Sequence, residues 1–322
     1  MRKHFGAAAL GCGIFFCASA ADEAKVVPQA GAMSTTTMQR LLLVDAKRIG
    51  DRIVAVGDRG YIVISDDRGK TWRRAKAPAT PLITSVDFLG DKLGIAVGHD
   101  SVILASADGG ETWQQTFAAP TESRPLLDVA FVKPDFAVAV GAYGAYYESN
   151  DSGKTWVARK ITSDDKHFNA VLELGGGNML ILGEAGAILS STDWGKTWNP
   201  VTSPYKGSLF GGIAAQDGSI VAFGMRGRIY RSKDKGLTWA PVDNASAATL
   251  MGGEKLADGT IVLAGAAGTA LVSRDDGQTF VPVQTGTTRA LSKPVQGEPG
   301  VVLLLGEGGP REARVPPKPA TK

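Results

Sequence analysis

Short apolar stretches of four to eight residues recur along the chain, and glycine-rich or Asp-Gly turns separate them. Some stretches alternate apolar and polar residues, as around Ile62 and Ile64, whereas others are apolar throughout, as in residues 53–56. The first pattern is typical of half-buried strands and the second of strands buried on both faces. No stripe of period 3.6 is present. The pattern therefore predicts an all-β protein of short antiparallel strands.

One motif, Ser-x-Asp-x-Gly-x-Thr-aromatic, occurs six times, at residues 65–72, 106–113, 149–156, 191–198, 232–239 and 273–280. Its aspartates are Asp67, Asp108, Asp151, Asp193, Asp234 and Asp275, which lie 41, 43, 42, 41 and 41 residues apart. Its aromatic residues are Trp72, Trp113, Trp156, Trp198, Trp239 and Phe280. Such regular spacing indicates a structural repeat.

A second mark precedes each motif: an apolar run that ends in Gly-x-x-Gly. It occurs seven times, at glycines 57/60, 141/144, 183/186, 224/227, 265/268 and 306/309, and at Gly98 with Ser101 in the second place. The second unit contains four strand-like segments, at residues 82–89, 92–97, 102–106 and 112–117. Four strands in a unit of 40 to 50 residues are typical of a propeller blade. The sequence thus predicts a seven-bladed β-propeller with four-stranded antiparallel blades.

The blades are predicted at about residues 41–77, 82–119, 126–161, 168–202, 208–243, 248–284 and 288–315. The seventh is expected to supply three strands, at 289–291, 301–305 and 312–315. Residues 24–30 resemble the fourth strands, and we expect them to pair with blade 7 and close the ring, since an open ring leaves an unpaired sheet edge. Residues 31–38 would then link to blade 1, and residues 316–322 would form a disordered tail.

The first twenty residues have the features of a secretory signal. Arg2 and Lys3 precede a short apolar run, and Ala18-Ser19-Ala20 predicts cleavage between Ala20 and Ala21, with a periplasmic or secreted product. Cleavage removes both cysteines and leaves 33 basic and 32 acidic residues. The mature chain therefore has no thiol chemistry and no apparent transmembrane segment, and its two histidines make a metal centre improbable.

The repeated motif is an Asp box on the turn between the third and fourth strands. Its Asp accepts backbone N–H bonds, its Gly supplies a positive φ, and its aromatic ring fills space between blades. Six carboxylates on six blades cannot share one substrate bond. A structural role is therefore expected for the boxes, with no catalytic residue, no metal and no cofactor.

Asp boxes combined with Gly-x-x-Gly after the second strand, seven units and an export signal resemble the photosystem II stability/assembly factor family and its bacterial relatives. Residues 56–60 and 223–232 show the pattern, and the resemblance spans roughly residues 40–310. It implies an exported, non-enzymatic monomer that binds a membrane protein complex or another envelope protein and carries a basic patch on one face. It does not identify the client. No nucleic-acid motif is present.

The alternative is a sialidase-like glycoside hydrolase or a glycan-binding propeller. Sialidases share an Arg-Ile-Pro motif, an arginine triad and a Tyr/Glu pair, but residues 48–50 here read Arg-Ile-Gly. Tyr143, Tyr146 and Tyr147 with Glu148 supply the residue types of the pair, away from the axis. Xyloglucan-degrading propellers share the repeat but need two propellers. A hydrolase should place two or three carboxylates near the axis, whereas a scaffold need not.

The turns between second and third strands and the connectors between blades should share one face of the ring. Six basic residues are expected there: Arg59, Arg124, Lys206, Arg226, Arg228 and Arg289. They either form a surface for an acidic partner segment or lipid headgroups, or are separate solvated residues paired with Asp58, Asp100 and Glu184. His99 and His167 are expected to be surface polar groups.

Overall fold

The computed structural model describes residues 31–78, 80–119 and 124–315. These residues form seven antiparallel sheets around a central channel, and the first strand of every sheet lines that channel. Six sheets have four strands and the last has three described strands. The seven-bladed propeller predicted from the repeat is therefore confirmed.

In every blade the strands follow one another in sequence order from the channel outwards. Blade 1 comprises β1 (Leu43–Ile49), β2 (Arg52–Gly57), β3 (Ile62–Ser65) and β4 (Arg73–Arg74). Blade 2 comprises β5 (Ile83–Leu89), β6 (Leu93–Gly98), β7 (Ile103–Ser106) and β8 (Gln114–Phe117). Blade 3 comprises β9 (Leu126–Lys133), β10 (Phe136–Gly141), β11 (Tyr146–Ser149) and β12 (Val157–Ala158).

Blades 4 to 7 repeat the arrangement. They comprise β13 (Phe168–Glu173), β14 (Met179–Gly183), β15 (Ile188–Ser191) and β16 (Asn199–Pro200); β17 (Leu209–Ala214), β18 (Ile220–Gly224), β19 (Ile229–Ser232) and β20 (Ala240–Val242); β21 (Leu250–Lys255), β22 (Ile261–Gly265), β23 (Ala270–Ser273) and β24 (Val281–Pro282); and β25 (Leu291–Gln296), β26 (Val301–Gly306) and β27 (Arg311–Arg314).

The second strands are the most deeply buried part of each blade. In β2, β6 and β10 every residue after the first is buried, as the all-apolar runs predict. Seven apolar clusters fill the seven interfaces between neighbouring blades, including the interface between blades 7 and 1. The apolar core thus lies between the blades, because each sheet buries both faces against its neighbours.

The first strand of blade 7 lies further along the chain than expected. The sequence pattern suggested residues 289–291, whereas β25 spans Leu291–Gln296 and includes Pro294. A proline is tolerated there because a first strand is an edge strand along the channel. Because Pro294 and Lys293 interrupt the apolar run, the sequence pattern did not predict this strand correctly.

The two faces of the ring carry different loops. We call the face with the turns between second and third strands and the inter-blade connectors the turn face. The opposite face, with the Asp boxes and the turns between first and second strands, is the box face. Hydrogen bonds join the elements of each face: Gly144 N–H donates to Lys166 O at 2.9 Å on the turn face, and Arg68 N–H donates to Asp51 O at 3.2 Å on the box face.

The chain enters the ring along the outer edge of blade 1. Ala32 pairs with Arg73 of β4, and the short helix α1 (Thr35–Met38) follows, with its N-terminus capped by Ser34. The residues expected to close blade 7, 24–30, lie outside the described residues. Among the described residues, blades 7 and 1 are joined by contacts that include N–H bonds from Gly308 and Gly309 to Leu41 O, at 3.0 and 2.9 Å.

Candidate partner-binding face

The six Asp boxes have one geometry. In each box the Asp carboxylate accepts the Ser hydroxyl at 2.7–2.8 Å, the Thr backbone N–H at 2.8–3.0 Å and the Thr hydroxyl at 2.5–2.7 Å. The box glycines have φ between 76° and 96°. Each carboxylate is therefore fully engaged within its own turn, which leaves none of the six available as a catalytic acid or base.

These hydrogen bonds hold the box carboxylates in the charged form. The Thr197 N–H lowers the pKa of Asp193 to about 2, and the Thr238 hydroxyl does the same for Asp234. In the other four boxes burial by itself raises the pKa of the aspartate. The combined hydrogen bonds outweigh burial, so the pKa is lowered overall. The boxes are fixed anionic turns at neutral pH.

The fourth box departs from the others. In four boxes the Trp indole N–H donates to the box glycine carbonyl at 2.8–3.1 Å. In the fourth, the Arg159 guanidinium of blade 3 donates to Gly195 O instead. The guanidinium carbon also lies 5.1 Å from the centre of the Tyr146 ring and its Nη1 lies 3.3 Å from a Glu148 oxygen. The bond to Gly195 O joins blade 3 to blade 4, whereas the contacts with Tyr146 and Glu148 lie within blade 3.

The same contacts exclude Tyr146 and Glu148 as a sialidase-type pair. Tyr146 is 1% exposed, and burial raises the pKa of its hydroxyl to about 12, so it cannot become a phenolate nucleophile near neutral pH. Tyr143, by contrast, is 56% exposed and lies at the turn face. Tyr143, Tyr146 and Tyr147 all line one cavity of about 250 Å³ with Arg124, but of the three only Tyr143 is exposed.

The Gly-x-x-Gly turns make the turn face rigid. A Cβ on the first glycine would lie 2.0–2.3 Å from the carbonyl oxygen of the residue that precedes or begins the first strand of its blade. A Cβ on the second glycine would meet the following connector, as at Gly186, where it would lie 1.9 Å from Tyr205 O. Two residues separate the two glycines, and the second of them has a positive φ of 51–58° in six turns. These central residues are Arg59, Asp100, Tyr143, Ala185, Arg226 and Ala267.

All six basic residues predicted for this face lie on turns or connectors of the turn face, but they are spread over blades 1, 3, 5 and 7. Arg59 belongs to blade 1, and Arg226 and Arg228 to blade 5. Arg124, Lys206 and Arg289 lie on the connectors that lead into blades 3, 5 and 7. Arg59 Nε lies 3.6 Å from an Asp58 oxygen. Within the described ranges, Lys206, Arg226, Arg228 and Arg289 form no ion pair.

Aromatic residues of the turn face were not singled out as a group by the sequence analysis. Tyr143 meets His167 edge to face, with ring centres 4.8 Å apart. Tyr205 packs against Tyr230 at 5.8 Å and donates from its hydroxyl to Met225 O at 3.2 Å. The positions of Tyr143 and Met225 in the Gly-x-x-Gly turns were the available signal, because such turns point to solvent.

The central channel contains a second set of charged groups, also missed. Its volume is about 470 Å³. A β-bulge follows the start of all seven first strands and changes the direction of the next side chains. Three carboxylates thereby reach the next blade: Asp45 accepts Val86 N–H at 3.0 Å, Asp87 accepts Phe131 N–H at 2.9 Å, and Asp128 accepts Val171 N–H at 2.8 Å.

Two lysines and one serine complete this network. The Ser85 hydroxyl lies 2.8 Å from Asp128 and 3.1 Å from Asp45. Lys293 Nζ lies 3.4 Å from Asp45 and 3.8 Å from Glu254, and Lys47 Nζ lies 2.7 Å from Asp87. Blade 5 lines the channel with the glycines 211–212, and blade 6 adds the glycines 252–253 to Glu254.

Burial changes the acidity of the channel carboxylates. It raises the pKa of Asp128 to about 7, and it also raises the pKa of Glu254. Burial opposes the charge of Lys293, but Asp45 and Glu254 outweigh it and raise the pKa of this lysine. Carboxylates near the axis are what a hydrolase should have. Here, however, every carboxylate oxygen of Asp45, Asp87 and Asp128 is bound by an amide, hydroxyl or ammonium group.

In the part of the chain that the structure describes, no three His, Cys, Asp or Glu side chains form a group suited to a metal ion. No helix in the same residues is long and apolar enough to cross a membrane.

Comparisons with known proteins agree with this architecture. Residues 115–262 match the family model of the photosynthesis system II assembly factor YCF48, and residues 63–74 match the BNR/Asp-box repeat. No curated protein sequence matches the chain.

Solved structures share the fold. One of YCF48 bound to a D1 peptide has a TM-score of 0.69 and 21% identity, covering 87% of this chain and 93% of its own. YCF48 from Cyanidioschyzon merolae has a TM-score of 0.67 and 19% identity, over 88% of this chain and 99% of its own. The GH74 xyloglucanase from Xanthomonas campestris has a TM-score of 0.68 and 13% identity, and the match covers 89% of this chain but only 54% of the enzyme. The chain is an Asp-box β-propeller, and its residues 115–262 are similar to the photosystem II assembly factor family.

Proposed function

We propose that this protein is a non-enzymatic scaffold that binds an acidic segment of a membrane protein complex, or of another envelope protein, on its turn face and assists assembly of that complex. The observation that carries the proposal is the rigid turn of blade 5. There Arg226 and Arg228 are exposed and, within the described ranges, form no ion pair, next to the half-exposed Met225. Unpaired guanidinium groups on a fixed backbone are suited to bidentate binding of carboxylates.

The rigidity of the turns favours a binding role. The positive φ of Arg226 and the close contact of Gly227 with Ser246 O fix the direction of the turn. A side chain presented from a fixed backbone loses less conformational freedom when a partner binds. The basic residues of the turn face would also attract an acidic segment over a longer range, which makes association faster and sensitive to salt.

The comparisons support this choice of partner. The family matched by residues 115–262 is described as an assembly factor, and one solved relative of the fold was determined with a D1 peptide. For this chain the client is a proposal and is left as an acidic membrane-protein segment. Export, with cleavage between Ala20 and Ala21 and a periplasmic or secreted location, is part of the same proposal and rests on the sequence alone.

A hydrolase is the weaker alternative. It is supported by the propeller shared with GH74 enzymes and by the carboxylates of the channel. Against it, the channel carboxylates are bound by neighbouring blades, and the chain spans about half the length of the GH74 enzyme from Xanthomonas campestris.

Affinity capture tests the proposal. Tagged mature protein is incubated with detergent-solubilised envelope at low and moderate salt, beside the variant Arg124→Glu/Arg226→Glu/Arg228→Glu. We expect the wild type to retain a membrane-protein partner, more weakly at moderate salt, and the variant to lose it. Loss of one contact between a guanidinium group of this face and a carboxylate of the partner typically weakens binding about tenfold.

The matched control reverses three exposed charges on the box face: Lys92→Glu, Lys233→Glu and Lys255→Glu. It has the same net charge as the test variant and should retain the partner. Equal loss in both variants would show that only total charge matters and would contradict the assignment of the turn face. Absence of any partner in all samples would reject the scaffold function and direct work to a screen for glycoside hydrolysis.

A further inference from the structure

A continuous strip of apolar and aromatic side chains crosses the turn face over blades 3, 4 and 5. We define the strip as Tyr143, His167, Ala185, Tyr205 and Met225. Tyr143 contacts His167, and the Glu184 N–H beside Ala185 donates to His167 O at 2.9 Å. On the other side, the turn that carries Ala185 meets Tyr205 at Gly186, and Tyr205 donates to Met225 O. The strip is thus one contacting surface built from three turns and two connectors.

The side chain at the centre of the strip is shorter than those at its ends, so the surface is recessed there. Tyr143, Ala185 and Arg226 occupy the same place in three equivalent turns, with φ of 56°, 51° and 58°. Because Ala185 has only a methyl group, it leaves a gap between the longer side chains of the neighbouring turns. Tyr143 and Met225 are 56% and 37% exposed, so both present apolar surface at the two sides of this gap.

The two ends of the strip differ in charge. Both signs are present near Tyr143: Asp164 and Asp165 line one cavity with Tyr143, and so do Arg124 and Lys160. Beside Met225 lie Lys206, Arg226 and Arg228, which form no ion pair within the described ranges. A ligand on the strip therefore meets charges of both signs at one end and basic groups at the other.

We propose that the strip is the recognition site for an extended peptide segment with an aromatic or large aliphatic residue at its centre and acidic residues on one side. The apolar side chain fills the gap over Ala185, and the acidic residues contact the basic end at blade 5. This inference rests on the proposed function and specifies its partner.

Synthetic peptides test the strip directly. The probes are fluorescein-labelled Lys-Lys-Gly-Phe-Leu-Gly-Glu-Glu, a second peptide with Ser-Ser in place of Phe-Leu, and a third with Lys-Lys in place of Glu-Glu. Fluorescence anisotropy is measured with the whole mature protein. We expect the first probe to bind at least tenfold more tightly than the second, which lacks the apolar centre, and severalfold more tightly than the third, which lacks the carboxylates for the basic end.

The decisive variant is Ala185→Arg. Arginine is compatible with this turn, since Arg59 and Arg226 occupy the equivalent positions with φ of 53° and 58°. It fills the gap, and the first probe should bind at least tenfold more weakly. The matched control, Ala267→Arg, makes the same change in the equivalent turn of blade 6 and should bind like the wild type.

The results separate the two proposals. Equal affinity of Ala185→Arg and the wild type, or equal weakening by both variants, would overturn the strip while leaving a scaffold function intact if the envelope partner is still captured. No binding of any probe to the wild type would also overturn the strip. Loss of the captured envelope partner in Ala185→Arg but not in Ala267→Arg would extend the result from the probe to the natural client.

Discussion

The carboxylates of the Asp boxes and those of the central channel belong to the same repeats but have opposite surroundings. A box aspartate such as Asp234 lies at the surface and accepts bonds from residues two and four positions away. A channel aspartate such as Asp128 lies in the interior and accepts bonds from blades 2 and 4. The pKa is about 2 in the first and about 7 in the second.

The difference shows what decides the charge of a carboxylate. Several short hydrogen bonds to the anion, near solvent, stabilise the charged form. The channel supplies amide and hydroxyl donors as well, but burial and the nearby Asp45 outweigh them at Asp128. Local bonds therefore make the boxes independent units, whereas the channel carboxylates couple blades that are distant in sequence.

Removal of the Lys293 ammonium group from the channel should have the largest effect on stability. The substitution Lys293→Met leaves Asp45 and Glu254 without their ammonium partner, and we expect the free energy of unfolding to fall by about 3 kcal/mol. Chemical denaturation followed by tryptophan fluorescence measures this. The double variant with Glu254→Gln removes one of the two unpaired charges and should recover part of the loss. A cost below about 0.5 kcal/mol would mean that the pair contributes no more than an exposed ion pair.

Neutralising the channel aspartate should have an intermediate effect, with a characteristic pH dependence. The pKa of Asp128 is raised from the ordinary value of about 3.9 to about 7, so the folded protein binds this proton more tightly than the unfolded chain. Stability is therefore lost as pH rises from about 4 to about 7. The substitution Asp128→Asn should remove this loss and raise the free energy of unfolding at pH 8 by about 2 kcal/mol.

Denaturation midpoints between pH 4 and pH 8 measure this effect. The variant should show a smaller decline than the wild type across that interval. Parallel profiles for the two proteins would contradict the assignment of the proton to Asp128.

Deletion of one box carboxylate should have the smallest effect and the opposite pH dependence. The substitution Asp108→Ala removes bonds from Ser106 and Thr112 at an exposed turn, and we expect a loss of about 1 kcal/mol at pH 7. The pKa of Asp108 is lowered, so its contribution is present above about pH 4 and is lost as pH falls through the lower folded value. Thermal unfolding should give converging midpoints for variant and wild type in acid. A difference that persists unchanged at pH 2 would contradict the role of the carboxylate charge, because the protonated carboxyl group would then stabilise the turn equally well.

The repeat made most of the fold predictable. The spacing of the boxes and of the Gly-x-x-Gly turns gave the number of blades, and the second blade's four strands lie within two residues of the expected segments. The turn face also followed, because strand order fixes which loops share a face. The first strand of blade 7 was misplaced because Pro294 and Lys293 interrupt its apolar pattern.

The candidate site was only partly predictable. Arg226 and Arg228 could be placed on the turn face because they lie in a repeated turn. The contact between Tyr143 and His167, and the one between Tyr205 and Tyr230, could not, since each joins a turn or strand to a connector of irregular length and sequence. The channel was missed for a related reason: Asp45, Ser85 and Asp128 are far apart in the chain and have no common motif.

The sequence by itself determined the features that are local and repeated: the strands, the boxes with their low-pKa aspartates, and the glycines of the turns. The Asp hydrogen bonds of each box span four residues or fewer, and each strand pairs with the next strand in the chain, so these features repeat with the sequence motif. Only the tertiary structure decided which side chains meet across blades. Closure of seven sheets into a ring buries Asp128 beside Asp45 and sets Tyr143, Ala185 and Met225 in one strip, because these contacts arise from the geometry of the ring.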